Sequence, residues 1–474
     1  MKIKFLKIIS LVCSLTLIFS LLVGCASDNE KDGVKDKVVE TDLTVTDKDN
    51  QSNDDEKEFK NKELNIAVFE GGFGREFWDE VVANFETAYP GVKVNVEANP
   101  QIGELLRPRL LSGEIPDFIY LNQNEKSGVT MGLIKDQGIL DITSVFDDMS
   151  LDKDVALKEI INDGFLETKM CSPYEDGKIY LAPFNYTPCG LWYNKNLFKD
   201  KGWKVPKTWD EFFAYGEKAE AEGRSLFTYQ GIYPSYIESM LITSIASAGG
   251  LDTVNKVFNF EEGAWNSEAA KKALGIFQTI ADNDYLLEGT IAMNHTQSQT
   301  EFMLGHALFV PNGSWFEGEM AEAPREDGFE FGFLGVPTFD DSDQMYIQAG
   351  IEQMYIPKEA KNPELAKEFL KFLYTDESVK LNGEKTKGVM AVKGAADMCR
   401  EYLSDATYNT YSIFDKGAKP LVFNWTPIPQ GVNENPISQI YDPLSSIINK
   451  TMTVEEWIDI IEKTNKLTRD AMGE

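Results

Sequence analysis

Side chains that ordinarily perform covalent chemistry are scarce in this 474-residue chain. It carries two histidines and five cysteines, with no CxxC, HExxH or GxSxG pattern. Neither a zinc framework nor a nucleophile–base pair can be read from it. His295 lies in a polar stretch, and His306 lies inside the apolar run MLGHALFV, the setting of a core histidine. The 77 acidic residues leave a glycosidase-like carboxylate pair open, but no spacing singles one out. More specific is the turn Glu70-Gly71-Gly72-Phe73-Gly74. It mimics part of a dinucleotide fingerprint, yet Phe77 stands where the third glycine belongs, and a pyrophosphate would have to approach Glu70. Arg75 is the only basic residue beside it, which is poor provision for an anion. A carboxylate next to exposed backbone N–H groups can instead accept from and donate to hydroxyls; the plainer alternative is a charge favourable to a helix start.

The elements that must position this turn are legible around it. LNIAVF (64–69) is an apolar run of strand formers. Phe77, Val81, Val82, Phe85 and Tyr89 recur at helical spacing, Tyr89-Pro90-Gly91 stops that helix, and VKVNV alternates as a second strand. Strand–helix–strand of this length is the unit of a parallel sheet, whose ligands sit at the carboxyl ends of the strands. Gln101–Leu111 reads as a helix, and FIYL then ends at Asn122, Gln123 and Asn124. GKIYLAPFNYTP (177–188) reads as a segment crossing between lobes, with Asn185 and Tyr186 near the expected hinge. Helices follow at Glu211–Glu222, Tyr236–Ala248 and Ser267–Asp282, then a strand over Gly305–Trp315, a second crossing segment at Phe329–Phe339, and the amphipathic helix Glu364–Tyr374. The alternation predicts an α/β fold, and these two crossings, with a third near Thr375, predict two lobes, each built from two pieces of chain.

The ends and the charge narrow the setting. Lys2, Lys4 and Lys7 precede an apolar run broken by Ser10, Ser14, Thr16 and Ser20, a targeting signal rather than a span. Leu22-Val23-Gly24-Cys25 resembles the bacterial lipoprotein cleavage motif, which implies a 1–24 signal peptide and acylation of Cys25. Residues 25–60 are polar and charged, a flexible acidic tether; their aspartates lack the glycine and terminal glutamate of a calcium loop. Net charge is −31, about −34 without the three signal lysines, which argues against nucleic acid and against electrostatic adhesion to anionic lipid. Cys171 and Cys189 flank an expected hairpin turning at Asp176-Gly177. A disulfide there is conceivable, and buried free thiols are the alternative.

Taken in order, FETAYPGVKV, SGEIPDFIYL, DGKIYLAPFNYTPCGLWYNKNLF, VPKTWDEF, GHALFVPNGSW, FLGVPTF and YIPKEAKNPELAKEFLKFLYTDESV resemble the extracellular solute-binding lipoproteins of carbohydrate ABC importers, the family that includes maltose-binding protein. The resemblance implies a periplasmic-binding-protein-like fold, with an N-terminal lobe of 61–185 and 338–374 and a C-terminal lobe of 186–337 and 375–474. It implies a monomer without cofactor, metal or catalysis, lipid-anchored on the outer face of the bacterial membrane. Such a protein closes on a mono- or oligosaccharide and hands it to a permease driven by a cytoplasmic ATPase. FTYQGIYPSYIESM with ASAGG, and EGGFG, lean toward relatives that bind N-acetylglucosamine or short β-linked oligosaccharides. Sugar sites combine aromatic platforms for C–H faces with carboxylates and amides for hydroxyls. On that basis the expected ligand contacts are Glu70, Gly72, Phe73, Asn122, Asn124, Asn185, Tyr186, Tyr229, Tyr233, Trp315, Glu352 and Trp425. Trp78, Phe85, Trp209 and Trp457 are expected in the core.

Overall fold

The structure is a computed structural model that describes residues 59–473 apart from Gly72, Asn124, Glu175 and Gln430. The expected signal peptide, Cys25 and nearly all of the expected tether lie outside the described residues. The last two residues of that expected tether, Phe59 and Lys60, are among the described residues. Phe59 is buried and its ring packs edge-on against Tyr89, with centroids 6.0 Å apart.

The opening unit forms as its pattern requires. β1 (Glu63–Phe69) pairs in parallel with β2 (Lys93–Asn99) through the helix Glu76–Ala88, and β3 (Phe118–Tyr120) pairs in parallel on the other edge of β1. Leu64, Ile66 and Val68 face one core with Phe77, Trp78 and Phe85, while Ala67 faces another with Ile102, Leu106 and Ile119. That period of two places apolar groups on both faces of a covered sheet.

Two long antiparallel strands carry the chain between lobes. β4 (Ala182–Asn194) and β8 (Tyr346–Tyr355) pair from Ala182↔Met354 to Cys189↔Gln348. The far end of β8 joins β3 at Ile119↔Tyr355, whereas the far end of β4 joins β6 (Ala307–Gly313), which pairs in parallel with β5 (Ser225–Phe227). β7 (Phe331–Leu334) and β9 (Lys419–Leu421) are short additions to β4 and β8. The segment 329–339, expected to cross, instead contributes β7, which pairs only with Leu191–Asn194. The crossing belongs to β8, which continues along the same edge of β4 after the excursion 335–345. The second lobe also has cores on both sheet faces: Trp209, Phe227, Trp265, Phe309 and Trp457 on one, Trp192, Phe302, Phe316 and Phe331 on the other.

Residues after Thr375 were expected in the second lobe. Val379, Leu381, Val389, Met390 and Tyr411 pack instead in the first core, around Phe77 and Phe184, because the helix Asp376–Thr386 lies against Glu76–Ala88. The predicted hairpin at Asp176-Gly177 is absent. Residues 162–181 form turns, and Cys171 and Cys189 are both free thiols, so no disulfide joins them. His306 is an exposed partner of Glu301, with Nδ1 2.5 Å from Oε2, rather than a core histidine; it falls in the turn just before β6, where the apolar run has not yet entered the sheet.

Distant pieces of the first lobe are fastened by one buried carboxylate. Asp117, 2% exposed, accepts from the backbone N–H of Asn65 at 2.9 Å and of Asn362 at 2.8 Å. Asn362 in turn donates from Nδ2 to the carbonyls of Asn61 and Glu63. Removing this acceptor strands the buried backbone donor of Asn362 and the partly buried one of Asn65. Asp117→Ala is expected to cost about 2–4 kcal/mol, read as a lowered urea midpoint with unchanged slope; a loss below about 0.5 kcal/mol would show the link to be dispensable.

Candidate functional site

The face shared by β4 and β8 makes a polar floor between the lobes. Along β8 the buried Ile347, Ala349, Ile351 and Gln353 alternate with the partly exposed Gln348, Gly350 and Glu352. On β4, Thr187 and Cys189 are likewise partly exposed and lie opposite Gly350 and Gln348. Period-two alternation puts these five residues on one face. Gly350 keeps the middle of it open, since a Cβ there would come within 2.5 Å of Thr187 Oγ1.

At the first-lobe end, Tyr120 on β3 donates to Glu352 Oε2 at 2.6 Å. Burial pushes the Glu352 carboxyl up to about 7, only partly offset by that hydrogen bond. Oε1 of Glu352 has no partner among the described residues. At the second-lobe end stands Glu238, the first residue of a helix that runs to Phe258 with a break at Gly250. Its carboxylate accepts from Tyr441 at 2.5 Å and from Gln348 Nε2 at 3.3 Å. Burial pushes it up to about 6. Both glutamates keep some open surface while their carboxyl oxygens sit deep in the cleft, so the desolvation governs the charge. Neither forms an ion pair among the described residues. Between them, Tyr411 donates to Ser314 Oγ at 3.3 Å. Burial pushes its hydroxyl up to about 12, and Glu352 and Cys189 are both close enough to add to the rise. The Cys189 thiol is likewise pushed up to about 12, first by burial and then by Glu238. Glu352, Tyr411, Cys189 and Glu238 therefore form one contiguous strip.

Aromatic surface rims the strip. Trp315 follows β6 and is 43% exposed, its ring lying against Gly313, where a Cβ would meet it at 2.0 Å. Tyr233 is 45% exposed and tilts against His295. His295 approaches Glu319, which accepts from Gln299 at 3.1 Å. On the first lobe, Glu70 is half-buried at the end of β1, and Phe73 is half-buried beside Gly388. Gly74 has φ +68°, which closes this turn through Gly74 N–H to the Gly71 carbonyl at 3.0 Å.

The other expected contacts are held by the protein itself. Asn185 is fully buried and exchanges hydrogen bonds with Asn382, the shorter at 2.8 Å. Tyr186 is buried among Phe165, Tyr411 and Phe414, its hydroxyl donating to the Tyr411 carbonyl. Tyr229 is buried and stacked on Phe227. Asn122 accepts from the Gln353 N–H at 3.0 Å, tying the loop after β3 to the back of β8. The exception is Trp425: its ring is half-buried against Phe258 and Phe260, but its buried Nε1 has no hydrogen-bond partner among the described residues and lies close enough to Glu238 to favour that carboxylate's charge. Gly72 and Asn124 lie outside the described residues. Trp78, Phe85, Trp209 and Trp457 are buried. Sequence reasoning missed Tyr120, Thr187, Cys189, Glu238, Gln348 and Tyr411; the alternation in QAGIEQ was the one signal able to reveal Gln348 beside Glu352.

The elevated Glu352 carboxyl makes stability depend on pH. The folded state keeps its proton up to about 7, whereas the ordinary value is 4.5. The folded state therefore binds more protons across that window, and stability falls as pH rises from about 4.5 to 7. Glu352→Gln keeps an acceptor for Tyr120 without the buried charge. It is expected to be more stable than the parent by about 1–3 kcal/mol at pH 8 and equal to it near pH 4, by denaturant titration. Parallel pH profiles would show that the charge carries no such cost.

Comparison with known proteins fits this geometry. The family model described as bacterial extracellular solute-binding protein matches residues 74–380. A diacetylchitobiose-binding protein of Streptomyces coelicolor is 28% identical over 334 residues, 69% of each chain. A maltooligosaccharide ABC transporter solute-binding lipoprotein of Streptococcus pneumoniae is 24% identical over 457 residues, 94% of this chain and 92% of the relative. In fold, the chain is similar to the apo form of RafE from Streptococcus pneumoniae, with TM-score 0.68 and 20% identity over 87% of this chain and 100% of that one.

Proposed function

The chain belongs to the bacterial extracellular solute-binding protein family, and from that premise we propose that it captures a saccharide between its lobes for an ABC importer. The observation that carries this reading is the pairing of a polar strand floor with an exposed tryptophan. Hydroxyls on a sugar edge can donate to Glu352 and Glu238 and accept from Gln348 Nε2 and Thr187 Oγ1, while the C–H face of a ring lies on Trp315. Glu70 and Phe73 would supply the first-lobe wall, and Tyr233 and Trp315 the second. Asn122, Asn185, Tyr186 and Tyr229 would then support the cleft from behind rather than touch the solute. The names of the relatives, which bind diacetylchitobiose or maltooligosaccharides, point to the same class of solute.

Closure needs β4 and β8, the paired strands shared by both lobes, to bend together with the stretch between Tyr411 and Leu421, where the chain passes from the first core to the second. Closing removes water from the floor and strengthens every polar contact made there. The site holds its solute without altering it, so delivery falls to a membrane permease. The acylated Cys25, outside the described residues, would hold the protein at the outer face of the membrane. It would act there as a monomer.

Isothermal calorimetry of the mature protein against glucosamine-, glucose- and xylose-based saccharides is expected to find a ligand of about micromolar Kd, near −8 kcal/mol. Trp315→Ala should weaken it by about 1–3 kcal/mol and leave the unfolding temperature unchanged, because the ring is exposed. Silence across the panel, with turnover of a glycoside, would overturn the binding reading in favour of hydrolysis. Unaltered affinity in the variant would remove Trp315 from the site.

A further inference from the structure

The two ionisable acids of the floor, Glu352 and Glu238, have no basic side chain paired with them among the described residues. Glu352 is held on one side by a neutral tyrosine, and its second oxygen has no hydrogen-bond partner among the described residues. Glu238 is held by a tyrosine and an amide, both neutral. Tyr411, Cys189 and Ser314 between them are neutral as well. The nearest basic residue of the β1 turn, Arg75, turns away to Asp79, which accepts from Nη2 at 2.8 Å. A desolvated carboxylate without a counter-ion is costly, and an ion that arrives with the ligand recovers that cost. A neutral sugar relieves it only through hydroxyl donors. An ammonium relieves it with both charge and three N–H donors.

We propose that the solute is a saccharide bearing a free amine, whose ammonium group docks on the open oxygen of Glu352. The proposal rests on the saccharide-binding reading above and narrows it. From Glu352 the glycan would run over Gly350, where the floor has no side chain, toward Gln348 and Glu238. Those two ends of the β8 face are four residues apart, about 13 Å along the strand, which suits a short oligosaccharide rather than a single ring. Glu238 would receive the far end, with Trp315 on the second-lobe rim.

The test compares three disaccharides on the unaltered protein by calorimetry at pH 7: the β-1,4 dimer of glucosamine, its diacetylated form, and cellobiose. The diamine is expected to bind about tenfold or more tightly than either neutral dimer. Glu352→Gln, whose folding is checked by its unfolding temperature, should erase that advantage: it weakens the neutral dimers by the loss of one charged hydroxyl acceptor, and weakens the diamine about tenfold more than that. Glu238→Gln should lower the affinity for all three. If the acetylated or neutral dimer binds as well as the diamine, the carboxylates serve hydroxyls only and the amine proposal is overturned, with saccharide binding intact. If Glu352→Gln weakens all three alike, the result is also against it. If no saccharide binds, both readings fall.

Discussion

The antiparallel ladder between β4 and β8 is the constraint on which the rest depends. The two strands lie at the centre of one nine-stranded sheet, so each has to pack in lobe cores at its ends while leaving one face partly open in the middle, at Thr187, Cys189, Gln348, Gly350 and Glu352. Backbone hydrogen bonds fix their register from Ala182↔Met354 to Cys189↔Gln348, and a one-residue slip would send every cleft residue into the core. The irregular pairing between Pro183 and Tyr186 is where Asn185 leaves the ladder to bond Asn382 instead. That exchange couples the hinge to the helix Asp376–Thr386, which is why a segment late in the chain packs with the first lobe.

The same ladder explains how charge is kept in the cleft. Glu352 is one residue away from the buried Gln353, whose side chain accepts from the Gln123 N–H at 2.8 Å. The strand is thus tied down from behind by amides and presents its carboxylate in front. Tyr120 and Tyr441 each bring a hydroxyl from a core-packed ring to a glutamate. Neutral donors orient the carboxylates without neutralising them. On the proposed reading the desolvation of the two carboxyls is a cost in stability that a bound solute recovers.

Much of this was legible in the residues, and the gaps have a common cause. The strand–helix–strand opening, the core tryptophans and the polar turn at Glu70 follow from local periodicity. Glu352 and Trp315 were reachable because strand ends and crossing segments point to a cleft. Burial of Asn185, Tyr186 and Tyr229 was not, because a tyrosine or asparagine near a hinge has the same local pattern whether it faces solute or core. Only partners such as Asn382, 197 residues away, decide. The second crossing was misplaced for a similar reason: β7 and β8 are both apolar runs along one edge of β4, and only the register tells them apart. Glu238 sits at a helix start, where an acidic residue needs no functional reason.

The hinge pairing also sets the order in which this molecule can come into being. Tyr120 and Glu352 are 232 residues apart, and β3 meets β8 through Ile119 and Tyr355. Neither lobe can complete its sheet until the chain has been made well past its middle, so contact order is high and folding correspondingly slow. Loop closure over such a span adds its own entropic delay. For a family described as extracellular, a chain that stays unfinished until nearly all of it has emerged is one that a secretion channel can thread.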